Sequence, residues 1–149
     1  MTASELPPNV QEFNEITAVI FGQLYLTFPA PRAMDPEFAA HMLGLPDGRH
    51  GMSSGMIFKQ VFAQTLKWLM DEGFVRGDGI PALDGVVLTA KGMAAMNVVP
   101  PSLSRPLGSE LADATGQAST EGGKRKIAEL MGDFFGSLMG SFTKSISGS

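Results

Sequence analysis

Cysteine is missing from this sequence, and its absence excludes disulfides, thiolate nucleophiles and cysteine-ligated zinc together. Histidine is nearly as scarce. His41 and His50 stand alone, with no H-x-x-x-H spacing and no clustered carboxylates beside them, so no metal centre is expected. His41 reads as a helix-surface residue and His50 as a loop residue. No run of about 18 apolar residues occurs, which argues against an ordinary transmembrane helix. The opening "MTASELPPNVQEFNE" has no basic stretch followed by an apolar one, so no secretory signal is expected. Excess positive charge is also lacking: 11 basic residues face 15 acidic ones, for a net charge of −4. No G-K-[ST] phosphate loop is present, and Gly122-Gly123-Lys124 has no strand before it.

One motif imitates an active site. "GMSSG" (Gly51 to Gly55) fits the G-x-S-x-G nucleophile elbow, which requires a strand before it, a helix after it and an α/β-hydrolase sheet around it. Here it follows a helix and a Pro/Gly turn in a chain of 149 residues, too short for that fold. Ser53 or Ser54 is better read as a cap for the helix that follows. No enzyme and no cofactor are expected.

What is present is enough apolar material for a core, 44% of the chain, arranged with helical spacing. Residues 1–9 form a loose lead-in. From Phe13, the positions Ile16, Ile20, Leu24 and Phe28 trace the buried face of an amphipathic helix, which Pro29 and Pro31 end. "MDPEFAAHMLG" carries its own punctuation, with Asp35 as N-cap, Pro36 in the first turn and Gly44 at the close. A third helix is expected from about Ser54 to Glu72, stopped by Gly73. "FVRGDGIPALDGVVLT" reads as a hairpin with a turn-rich connection, and Thr89 as the cap of a short helix, "AKGMAAMN". "VVPPSLSRP" is a boundary. The small-residue stretch after it, to residue 121, reads as a linker with room for a short helix.

The stretches "TLKWLMDEGFVRGDG" (Thr65 to Gly79) and "GVVLTAKGMAAMN" (Gly85 to Asn97) resemble prokaryotic winged-helix domains. In those domains the third helix ends in W-L-x-x-E-G-[FY], and the second wing strand runs into L-T-x-K-G. The resemblance covers residues 10–98 and implies a winged helix-turn-helix, a fold that serves DNA, RNA and protein binding alike. With the tail included, the whole chain is similar to small bacterial proteins with such a domain and a Gly-rich end. The expected fold class is therefore mainly α with a small β-hairpin (α+β), plus a separate C-terminal amphipathic helix.

Charge weighs against DNA. Residues 1–100 hold six basic side chains (Arg32, Arg49, Lys59, Lys67, Arg76 and Lys91) against ten acidic ones, so the whole net negative charge lies there. The third helix offers Lys59, Gln60, Gln64 and Lys67 as a face for a partner or for nucleic acid, and the wing loop adds one arginine and two aspartates.

The tail, residues 122–149, contains "AELMGDFFGSLMGSF". On a helix, Ile127, Leu130, Met131, Phe134, Phe135, Leu138, Met139 and Phe142 make one apolar stripe, with Gly132, Gly136 and Gly140 beside it. A four-residue repeat exceeds the 3.6-residue turn, which favours the right-handed close crossing of G-x-x-x-G helices. Each interior glycine costs a helix about 1 kcal/mol relative to alanine, so a helix built this way is expected to form against something: a second copy, the winged domain or lipid. Lys124, Arg125 and Lys126 precede it as a basic cluster suited to anionic headgroups.

The function expected from this pattern is a non-enzymatic winged-helix sensor or adaptor. It would dock a protein partner and use its glycine-zipper helix to self-associate or to engage the inner membrane, as a cytoplasmic stress or phage-defence effector. The alternative is a DNA-binding winged-helix regulator with the tail as its dimerisation helix.

Overall fold

Proline brackets the first helix. Pro8 starts it, where a missing N–H costs nothing, and Pro29 and Pro31 lie just beyond its end. The computed structural model of the protein describes residues 6–45, 57–77 and 84–147, with side chains on the last helix through residue 138. In it, α1 spans Pro8–Thr27. Ile16, Thr17, Ala18, Val19, Ile20, Phe21, Gly22 and Leu24 are all buried, so α1 is enclosed rather than one-faced. The unbroken run "ITAVIFG" explains it, because a helix apolar on every side has to be surrounded.

The next two helices follow their punctuation. In α2 (Pro36–Met42) the Asp35 carboxylate accepts from the Glu37 N–H at 2.9 Å, and Gly44 turns the chain at φ +81°. The third helix, α3 (Phe58–Asp71), buries Phe58, Val61, Phe62, Leu66 and Leu69. It starts later than the Ser54 expected from its sequence; Ser53, Ser54 and the "GMSSG" motif lie outside the described residues, as does His50. Gly73, at φ +83°, reverses the chain so that the Phe74 N–H donates to the Leu69 carbonyl at 2.9 Å.

The strands β1 (Val75–Arg76) and β2 (Val87–Leu88) pair antiparallel, Val75 with Leu88 and Arg76 with Val87. Arg32, between α1 and α2, adds a single antiparallel bridge to Val86, with two N–H···O bonds of 2.9 Å. Most of the connection between the strands lies outside the described residues. Thr89 then joins hairpin to helix: its hydroxyl donates to the Gly73 carbonyl and accepts from the Gly92 N–H at 3.1 Å, which caps α4 (Ala90–Met96). The described residues are thus mainly helical with a small antiparallel sheet.

The second half corrects two expectations. The short helix for which residues 99–121 had room is α5 (Leu107–Thr115), but it packs closely along α1 instead of lying in a tether. Leu107, Leu111, Ala114 and Ala118 are buried at helical spacing, and two glycines set the approach. A Cβ on Gly22 of α1 would lie 3.1 Å from the Ala112 Cα, and one on Gly108 would lie 2.5 Å from the Tyr25 ring. Arg105 fixes the start of α5 by pairing with Glu110 at 2.7 Å and with Asp113. Nor is the last helix, α6 (Glu121–Ser147), separate. Ile127, Leu130, Met131 and Phe134 belong to the same core as Phe21 of α1 and Leu66 of α3.

Candidate docking site on the last helix

The start of α6 is pinned from three sides. The Thr120 hydroxyl accepts from the Gly123 N–H at 3.0 Å, an N-cap in all but name. Lys124 turns inward, where its Nζ pairs with Glu15 of α1 at 3.3 Å and donates to the Leu43 carbonyl after α2 at 3.2 Å. Burial raises the Glu15 carboxyl above its ordinary value; the charge of Lys124 and its hydrogen bond oppose the rise, and nearby Glu12 adds to it. The expected basic cluster is therefore divided. Lys124 is committed to α1 and α2, Arg125 is exposed, and Lys126 is half-buried.

The next two turns enter the core. Ile127, Leu130, Met131 and Phe134 expose 0–2% of their surface. Phe134 lies among the rings of Phe21 and Phe74, each 5.4 Å away, and Phe135 at 5.0 Å. Phe135 faces Phe13 at 6.2 Å, and Phe13 meets Trp68 of α3 edge-on at 5.2 Å. Four residues expected at an oligomer or membrane interface are thus spent inside the chain, because α5, α1 and Phe74 supply the apolar surface that the stripe needs.

Gly132 and Gly136 behave differently. Both are exposed, and a Cβ built on either meets nothing within 4 Å. Among the described residues the close approaches are made by other glycines, among them Gly108 against Tyr25, Gly92 against the Phe74 carbonyl, Gly22 against α5 and, in the first turn of α6, Gly123 against the Gln117 carbonyl. No packing within the described residues accounts for the pair on α6.

These two glycines form one wall of an open groove of about 680 Å³. Its other wall is α4 and the stretch behind it, including Ala95, Val98 and Val99, with Phe74, Leu107 and Leu138 within. Val98 and Val99 are 39% and 49% exposed. Two charges lie on opposite walls, Lys91 on α4 and Asp133 on α6. The Lys91 ammonium donates to the Glu72 carbonyl at 2.7 Å and lies 4.4 Å from the centre of the Phe74 ring. Neither Lys91 nor Asp133 has an ion-pair partner among the described residues.

In the sequence "VVPP", which forms part of the α4 wall, reads only as a boundary. Its signal was present: two β-branched residues that Pro100 and Pro101 keep out of any helix. Of the stripe, Gly132, Phe135, Gly136 and Leu138 reach the groove or the adjoining surface, while the side chains of Met139, Gly140 and Phe142 lie outside those described. On α3, Lys59, Gln60, Gln64 and Lys67 are all exposed. Gln60 accepts from the Ile57 N–H at 3.2 Å, and Lys67 pairs with Asp71 at 2.6 Å, so two of the four are engaged on their own helix.

Among the described residues there is no group of three or more metal-ligating side chains, and no helix is long and apolar enough to cross a membrane. The chain matches no protein-family model, no curated protein and no solved structure.

Proposed function

We propose that the protein is a non-enzymatic docking module on a winged-helix frame, which self-associates through the outer half of α6. The frame is supported by the order helix, helix, helix, hairpin and by the Arg32–Val86 bridge beside the hairpin. The observation that carries the functional reading is the contrast among glycines. Those at internal contacts are forced by a neighbouring atom, whereas Gly132 and Gly136 face open space, as Gly122 in the first turn does, but they alone of these three line the apolar groove. Keeping both in a helix costs about 1 kcal/mol each, a cost that a close external contact offsets.

Energetics favours association over membrane insertion. Insertion of the full stripe requires Ile127, Leu130, Met131 and Phe134 to leave the core, at about 1.5–3 kcal/mol for each side chain. The lipid surface then returns only what the core already gives. DNA binding is weakened further by the engagement of Gln60 and Lys67. Trp68, 39% exposed and stacked edge-on against Phe13, is the aromatic anchor expected where α3 receives a protein partner.

Sedimentation velocity of the full chain across a concentration series, beside Leu138→Glu, tests this function. A concentration-dependent shift that the variant lacks is the expected result. Monomer at every concentration, together with flotation of the wild type on anionic vesicles, overturns it in favour of the membrane.

A further inference from the structure

The groove beside α6 carries charges of opposite sign on facing walls, and this bears on what fills it. A lone amphipathic carboxylate would find Lys91 at one wall but would face Asp133 across the opening. A surface with the reverse arrangement satisfies both. This chain possesses such a surface, namely its own groove turned through a two-fold axis, because in an isologous contact every pairing of residue i with residue j occurs twice. Resting on the self-association proposed above, we infer that the occupant is the same face of a second copy, with Lys91 of each chain against Asp133 of the other.

Three features agree with this arrangement. Lys91 and Asp133 both lack an ion-pair partner within the described residues, so each is free to take one from outside. Lys91 is held in place without being neutralised, since its contacts are a carbonyl oxygen and a ring face. Gly132 and Gly136 flank Asp133 on the α6 wall with no side chain to hold a second helix away, so two α6 backbones can approach closely there. The charges set register and exclude wrong partners more than they supply affinity. Apolar burial of Val98, Val99 and Leu138 supplies the attraction.

The two walls also define a test that separates this pairing from self-association in general. Lys91→Glu places two acidic residues opposite each other in a homodimer, and Asp133→Lys places two basic ones. Each variant alone is expected to dimerise at least tenfold more weakly in low salt. Mixed in equal amounts, the two are expected to recover a heterodimer, because both pairings then join opposite signs. Asp133 is exposed, so its variant carries the test alone if Lys91→Glu melts early: its dimer is expected to return in high salt, where like charges are screened. If the wild type dimerises and both variants dimerise equally well, the pairing is overturned and self-association stands. Weak single variants with no recovery on mixing also overturn the pairing. A wild type that stays monomeric to millimolar concentration overturns both.

Discussion

Exchanging glycine for alanine at two helical positions should change stability in opposite directions. Gly132, in the interior of α6, stands to gain about 1 kcal/mol of helix propensity, and Gly108, in the first turn of α5, stands to gain less. They differ in what the new methyl meets. At Gly132 it meets nothing within 4 Å, so the gain is realised in full, and Tm should rise by roughly 2–4 °C for a chain of this size. At Gly108 it lies 2.5 Å from Tyr25, about 1 Å inside ordinary contact. The ring cannot swing freely, because its hydroxyl donates to Asn97 at 2.8 Å. Overpacking of this kind costs about 1–3 kcal/mol, which outweighs the smaller propensity gain at Gly108. Urea denaturation, at a dilution where the chain is monomeric, measures both. Equal effects, or a loss of stability in Gly132→Ala, would refute the claim that α6 turns an unfilled glycine face outward. At higher concentration the same Gly132 methyl should weaken the dimer, so monomer stability and association move apart.

Two further outcomes follow from the packing of α6. Phe134→Ala should cost about 3–5 kcal/mol of global stability in one cooperative transition; a first transition like that of wild type would mean that α6 is a separate unit. The Glu15 carboxyl, 22% exposed, is raised by burial, so the folded state holds its proton more tightly than the unfolded chain does. Its favourable contribution is complete below the ordinary carboxylate value and fades as pH rises through the raised one. The stability of wild type minus that of Glu15→Gln should therefore fall across that window, and a rise would mean that the Lys124 pair outweighs burial.

Local punctuation was the legible part of the sequence. Asp35, Gly44, Gly73 and Thr89 each act as their residue types dictate, because caps and left-handed turns depend on neighbours within a few positions. What stayed hidden depends on distant partners. The α5 segment looks like a linker because its buried set, Leu107, Leu111, Ala114 and Ala118, is sparse and small. Its packing is made by Gly22 and Gly108, where lost side chains become proximity, and composition reads such glycines as flexibility. The α6 stripe was legible as amphipathic, but no sequence pattern divides Phe134, which Phe21 and Phe74 enclose, from Gly136, which they leave bare. The site is a product of that division. Its second wall comes from Val98 and Val99, some thirty-five residues earlier, and only the fold brings them beside the glycines.

Sedimentation equilibrium of the full chain and of Gly136→Leu tests the central claim most directly. The substituted side chain enters space that is empty in the monomer, so folding should be unimpaired, as judged by circular dichroism. A reversible monomer–dimer equilibrium in wild type, shifted to monomer in the variant, is the predicted result. Equal assembly by both proteins would contradict the account, because a helix that accepts leucine at Gly136 is not making a close contact there.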